Sequence, residues 1–180
     1  MTETEIETKV REIIASSMRV PLDEIPLTKP LVELGAESID FVDMMVGIEH
    51  GFNVEFCDEG MFAKLEELFG DDVLAVDGKI TGLGAKVLAE RRPEITADKF
   101  HEGLDVSHLN ELFTAETWSR GLQELLDARP SACSKCGSSQ LEAIKGSKLR
   151  CGECGNTMRC PSQADVLETW VEQFNADKPS

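Results

Sequence analysis

Basic residues are scarce in this chain: 18 Lys and Arg stand against 34 Asp and Glu in 180 residues, a formal net charge of −16. That balance argues against nucleic acid as the main partner, because phosphate binding needs clustered cations that release counterions. Partners with basic surfaces fit it better. Also missing is any apolar run near the roughly 20 residues that cross a bilayer, and Met1-Thr2-Glu3-Thr4-Glu5 is acidic where a secretory signal would be positively charged. A soluble, cytoplasmic protein is expected, with no membrane partner. No G-x-S-x-G, P-loop or dinucleotide fingerprint occurs, and His50, His101 and His108 show neither H-x₃-H nor H-E-x-x-H spacing. With no active site of its own visible, the chain is not expected to be an enzyme.

What is present is unevenly distributed. Residues 131–163 carry five basic side chains (Lys135, Lys145, Lys148, Arg150, Arg159) against only Glu142 and Glu153, and hold four of the six cysteines. In a cytosolic protein such clustering points to metal rather than disulfides. Cys133-Ser134-Lys135-Cys136-Gly137 and Cys151-Gly152-Glu153-Cys154-Gly155 are two C-x₂-C-G knuckles separated by 14 residues, close to the spacing of a tetrathiolate site. The glycine after each knuckle permits the positive φ such a turn needs. Between the knuckles, residues 141–144 and 148–150 flank Lys145-Gly146-Ser147 as a hairpin. The arrangement resembles a zinc ribbon. Iron in a rubredoxin-like site is the rival, but residues 131–163 contain no aromatic side chain to build that site's apolar shell. Zn²⁺ on Cys133, Cys136, Cys151 and Cys154 is therefore expected, and four thiolates make it structural because no coordination position stays open for water. Cys57 and Cys160 read as ordinary buried or spare thiols.

The rest of the chain has mainly helical periodicity. Ile6, Val10, Ile13 and Ile14 mark a first helix ending before Pro21, and a long connection with Ile25, Leu27 and Leu31 as apolar pins leads to Gly35. A second helix is predicted from about Ser38 to about His50, with Ile39, Val42, Met45 and Val46 toward the core and Gly47 and Gly51 weakening its end. Met44 reads as core more readily than as an exposed docking spot. A short helix follows over residues 61–69. Asp77-Gly78 suits a type I′ hairpin turn, and Thr81 can cap a helix that Pro93 terminates. Residues 94–130 read as helical again, with Thr114 as a cap, and Ser162-Gln163-Ala164-Asp165 is a capping box before a C-terminal helix. Only the last few residues are expected to be disordered.

Ser38 lies in Leu34-Gly35-Ala36-Glu37-Ser38-Ile39-Asp40-Phe41-Val42-Asp43, a serine opening an acidic amphipathic helix after a glycine turn. An anion attached there would meet the unpaired N–H groups and positive dipole end of the helix. The motif contains no base to activate the hydroxyl, so the serine reads as a tether served by a separate enzyme. Residues 4–92, and residues 34–56 most specifically, resemble acyl and peptidyl carrier proteins. Glu37 stands where that family usually has Asp, Ile39 where it usually has Leu, and the segment between Phe56 and Thr81 is enlarged.

The resemblance implies a 4′-phosphopantetheine arm on Ser38, installed by a phosphopantetheinyl transferase. It also implies an acidic face of Glu37, Asp40, Asp43 and Glu49 that docks acyl-handling enzymes through their basic surfaces. The fold expected is mainly α: an acyl-carrier-like four-helix bundle with extra helices and a small β zinc ribbon. Its segments are residues 1–93 as the carrier-like domain, 94–130 as a helical extension, 131–163 as the ribbon, and 164–180 as a C-terminal helix and tail. The implied function is a specialised carrier of acyl thioesters in fatty acid or polyketide biosynthesis. The alternatives are an aminoacyl or peptidyl carrier of a nonribosomal pathway, and a zinc-ribbon adaptor whose carrier-like domain is never modified.

Overall fold

The structure is a computed structural model that describes residues 1–176; the expected disorder of the last few residues falls largely on 177–180, outside the described residues. Helix α1, Glu3–Met18, opens with a capping box in which Thr2 Oγ1 accepts from the Glu5 N–H and Glu5 Oε2 accepts from the Thr2 N–H at 2.7 Å. It closes at Arg19 in the left-handed region, φ 56°, just ahead of Pro21. Ile6, Val10 and Ile14 form its buried stripe. The connection that follows is pinned as the sequence predicts, with Ile25 and Leu31 fully buried and Leu27 packed against them.

Helix α2, Ser38–Phe52, runs a little beyond its expected end and buries a different face from the one expected. Met44, Ile48 and Phe52 are the core positions, while Ile39 (61% exposed), Val42 and Val46 face solvent. The helix is apolar on more than one side, so periodicity alone could not choose between its faces. Packing against α1 chose: a Cβ at Gly47 would stand 2.7 Å from the Ile13 methyl, so this glycine admits the neighbouring helix rather than weakening the end. Asn53 closes the helix in the left-handed conformation, φ 51°.

The core of α1 and α2 is completed by α5, Ala115–Asp127, through Ala115, Leu122 and Leu125. Thr114 caps α5 as expected, accepting the Thr117 N–H at 3.1 Å. The Leu31 N–H bonds the Phe113 carbonyl, and the Glu116 N–H bonds that of Leu27, each at 2.9 Å. The helix expected in an extension after residue 93 thus packs its apolar face into the first core.

A second core gathers α3 (Met61–Phe69), α4 (Gly82–Arg91) and α6 (Gln163–Ala176) around Leu65, Leu74, Ile80, Val87, Leu88, Leu167 and Val171. The Asp77-Gly78 turn forms as predicted, with φ 48° and 73°, between β1 (Ala75–Val76) and β2 (Lys79–Ile80). Thr81 caps α4 through the Gly84 N–H at 3.0 Å. Residues 94–105 are not α-helical as expected. Instead the chain makes a short 3₁₀ turn at Ala97–Lys99 and then bonds the edge of β2, with the Ile80 N–H donating to Leu104 O and the Gly103 N–H to Ile80 O, both at 2.8 Å. A second 3₁₀ segment, Val106–Leu112, buries Leu109. The Ser162–Asp165 box is present, Asp165 Oδ2 accepting the Ser162 N–H at 2.7 Å.

Arg91, at the end of α4, pairs with Glu124 of α5 through both guanidinium nitrogens and lies 5.7 Å over the Trp170 ring of α6. One side chain thus joins three helices. Among the described residues, no helix is long and apolar enough to cross a membrane. The fold is mainly α, with a two-stranded hairpin and an antiparallel three-stranded sheet in the order β3 (Leu141–Ile144), β4 (Lys148–Cys151), β5 (Thr157–Arg159). The last strand was not predicted, being only three residues long and mostly exposed.

Candidate functional site: an exposed serine on helix α2 and a four-cysteine cluster

Gly35, at φ 96°, ends a 3₁₀ turn over Leu31–Leu34 and swings the chain into α2. The cap position is Glu37, not Ser38: the Glu37 N–H is taken by Asp40 Oδ2 at 2.8 Å. Ser38 occupies the first helical position with its side chain exposed, and among the described residues no group hydrogen-bonds its hydroxyl. The Ser38 hydroxyl does not cap the helix. The Ser38 and Ile39 N–H groups have no backbone acceptor either, so an anion held on this hydroxyl would meet free donors and the positive end of a 15-residue helix. His50 lies at the far end of the same helix.

The expected acidic face is divided in its employment. Glu37 and Asp43 are exposed, Asp40 is half-buried at the helix start, and Glu49 Oε1 already accepts the Phe56 N–H at 2.8 Å. Beside these carboxylates Ile39, Val42 and Val46 form an exposed apolar stripe.

The ribbon cysteines come together. Cys133 and Cys154 Sγ are 3.6 Å apart, Cys136 and Cys151 likewise, and all four sulfurs lie within 4.8 Å of one another. Thiolates about 2.3 Å from a tetrahedral ion stand roughly 3.8 Å apart, so the donor set fits a single four-coordinate metal. The two knuckles have matching backbones. The Gly137 N–H bonds Cys133 O at 2.9 Å and the Gly155 N–H bonds Cys151 O at 3.0 Å, with both glycines at positive φ. Backbone N–H groups of Lys135 and Cys136 turn toward Cys133 and hold its thiol down at about 6, and that of Cys154 lowers the Cys151 thiol. Thiolate, the ligating form, is favoured at these two positions, while at Cys136 the lowering effect of the Ser138 N–H is outweighed by the neighbouring sulfurs, which push the thiol up. Cys57 and Cys160 stand outside the cluster, and burial raises both thiols, Cys57 to about 11.

Residues 8–70 match the family model described as a phosphopantetheine attachment site. The acyl carrier protein of Chlorobium phaeovibrioides is 45% identical over 60 residues, covering 33% of this chain and 77% of that protein. The chain belongs to the acyl carrier protein family. The acyl carrier protein of Chlorobium luteolum has the same identity and coverage, and that of Akkermansia muciniphila is 35% identical over 83 residues, 46% of this chain and 100% of that protein. No solved structure matches the chain. The carrier family model contains Ser38 and the acidic residues of α2 but ends before α4, α5, the cysteine module and α6.

Sequence reasoning missed two groups of residues. One is the joint between the modules, in which Asn53 at the end of α2 bonds the ribbon hairpin at Ser147 and Lys148, and Arg129 bonds the carbonyls of Phe52 and Asn53. An Asn just past a helical stripe is a recognisable left-handed cap, but nothing local says what its side chain will touch. The other is the ionic cluster of Arg91, Arg92 and Glu94, charged residues beside Pro93 that read as a helix end, with Glu124 of α5.

Proposed function

We propose that this chain is a specialised acyl carrier protein whose Ser38 hydroxyl bears 4′-phosphopantetheine and holds acyl intermediates as thioesters for separate enzymes. The observation that carries this reading is the exposed, unbonded Ser38 hydroxyl at the first position of α2, inside the stretch that matches phosphopantetheine attachment sites. The arm supplies the thiol and the reach. The chain itself supplies an anchoring oxygen, free N–H donors for the phosphate and a docking face. With no base beside Ser38, a phosphopantetheinyl transferase must take its proton.

The docking face comprises the exposed Ile39, Val42 and Val46 between Glu37, Asp40 and Asp43, a combination that suits a basic partner surface with an apolar centre. Glu49 contributes charge there while its carboxylate also holds the Phe56 N–H. The partners are acyl-handling enzymes of fatty acid or polyketide synthesis, and the protein is cytoplasmic and not itself an enzyme. Cys133, Cys136, Cys151 and Cys154 would hold a structural Zn²⁺, supported by the spacing of their sulfurs.

Intact mass tests the reading. Co-expression with a broad-specificity transferase should add one phosphopantetheine to the native chain and none to Ser38→Ala. An unmodified native chain, or modification of another serine, would overturn it.

A further inference from the structure

The two hydrophobic cores leave space between them. A cavity of about 70 Å³ is walled by Met45, Phe56 and Trp118 of the first core and Met61 of the second, and an adjoining cleft of about 250 Å³ shares Met61, Phe113 and Arg92 with it. Arg92 lines both although only 4% exposed. Its Nε and Nη1 make no hydrogen bond, nor does Trp118 Nε1. Buried donors without acceptors are costly, and a mostly apolar pocket lined by the residues that carry them suits a ligand that brings the acceptor.

Charge narrows the kind of acceptor. Arg91 is paired bidentately with Glu124, and Arg120 lies 3.4 Å from Glu94 and 3.7 Å from Glu124. Among the described residues Arg92 has one ion-pair partner, Glu94 Oε1, at 3.7 Å and without a hydrogen bond, and neither Glu94 oxygen has a hydrogen bond either. In this cluster three guanidinium groups meet two carboxylates. A carboxylate in the cavity would supply the missing charge and the acceptor atoms together, in the geometry a guanidinium fork binds best.

The cavity is also within reach of the anchoring serine. Ser38, Phe41 and Met45 follow one another at i, i+3 and i+7 on one face of α2, and Met45 is about 10 Å of helix rise from Ser38. Ring contacts of 6.5 Å from Phe41 to Phe113, 6.2 Å from Phe113 to Trp118 and 5.7 Å from Trp118 to Phe56 make an aromatic row from the first turn of α2 to the cavity.

We propose that this cavity receives the free end of an acyl chain terminating in a carboxylate, bound by the Arg92 guanidinium and the Trp118 indole N–H. This rests on the carrier reading above and specifies its cargo. The methylenes lie along the aromatic row, and the terminal oxygens accept from Arg92. A methyl-ended chain would leave the same donors unpaired, which is how a buried polar site rejects an analogue lacking the matching group.

The test compares two cargoes on the full-length protein: a broad-specificity transferase loads Ser38 from glutaryl or valeryl coenzyme A, with loading checked by intact mass. ¹⁵N NMR then follows the Arg92 Nε–H and Trp118 Nε1–H. The glutaryl form should shift both resonances and slow their hydrogen exchange about tenfold or more relative to the valeryl form. Arg92→Lys, which keeps the charge but loses the fork, should abolish the Trp118 difference between cargoes. Trp118→Phe, which keeps an aromatic ring, should leave the Arg92 difference in place. Loaded proteins with the same Arg92 and Trp118 signals for both cargoes would overturn the cargo assignment while the carrier reading stands. Failure of Ser38 to accept either cargo would overturn both.

Discussion

Asn53 and Ser147 are joined across 94 residues of sequence: the Ser147 N–H donates to Asn53 Oδ1 at 3.1 Å, and Asn53 Nδ2 reaches the Lys148 carbonyl at 3.4 Å. Asn53 ends the helix that begins at Ser38, and Ser147 is the turn of the hairpin between the two cysteine knuckles. The carrier helix and the cysteine module are therefore in direct contact. Asn53→Gly keeps the left-handed backbone and removes both side-chain bonds. It should cost about 1–2 kcal/mol and raise amide exchange at residues 146–148, as measured by hydrogen–deuterium exchange. Unchanged exchange there would mean that the joint carries no energy.

Ser38→Ala should be nearly silent for stability, within about 0.5 kcal/mol, because the hydroxyl bonds nothing and the cap is Glu37. Urea denaturation checks this. A loss near the 1 kcal/mol typical of a deleted cap would show that the hydroxyl caps after all.

Asp43→Lys should slow transfer of the arm onto Ser38 by about threefold or more at low salt, with the effect shrinking as salt rises. Asp43 is exposed, so its reversal leaves the fold alone. Transfer rates equal to native at every salt concentration would remove Asp43 from the docking face.

Gly84→Ala should destabilise by about 3 kcal/mol or more, since its Cβ would stand 2.1 Å from the Leu74 carbonyl oxygen. Loss should appear as a lower thermal midpoint of the second core, reported by Trp170 fluorescence. A midpoint within a degree of native would show that α4 can shift aside.

Metal analysis should find one zinc per chain, lost in Cys133→Ser with Cys136→Ser. Because metal binding and folding are linked in small sites, removal should loosen residues 131–160 and, through Asn53, speed exchange at the end of α2. Zinc retained by the double variant would reject the four-cysteine site.

Ser162 O–H and N–H donors, together with Arg159, hold the Asp165 carboxyl below its ordinary range. A depressed acid contributes stability above its unfolded value and loses it as pH falls through the folded one. Stability should therefore decline on acidification below the usual aspartate range. Asp165→Asn should lower stability at neutral pH and flatten that decline, which denaturation curves across pH would show.

The sequence by itself determined what short-range chemistry can determine. Asp77-Gly78 is a type I′ turn because both residues accept positive φ, Thr81 and Thr114 cap because their hydroxyls reach N–H groups three residues on, and the C-x₂-C-G pairs turn as their glycines allow. The serine at the head of an acidic helix was legible for the same reason. Tertiary structure decided the rest, where several surfaces competed. Helix α2 could have buried either of two apolar sides, and contact between Gly47 and Ile13 selected Met44 and Ile48 over Ile39 and Val42. The core of α1 and α2 took in α5, the Asn53 side chain found a hairpin far along the chain, and Arg92 was left facing a cavity between two cores. Each of these depends on which distant surfaces fit, and fit between surfaces is a property of the packed chain, not of any local stretch.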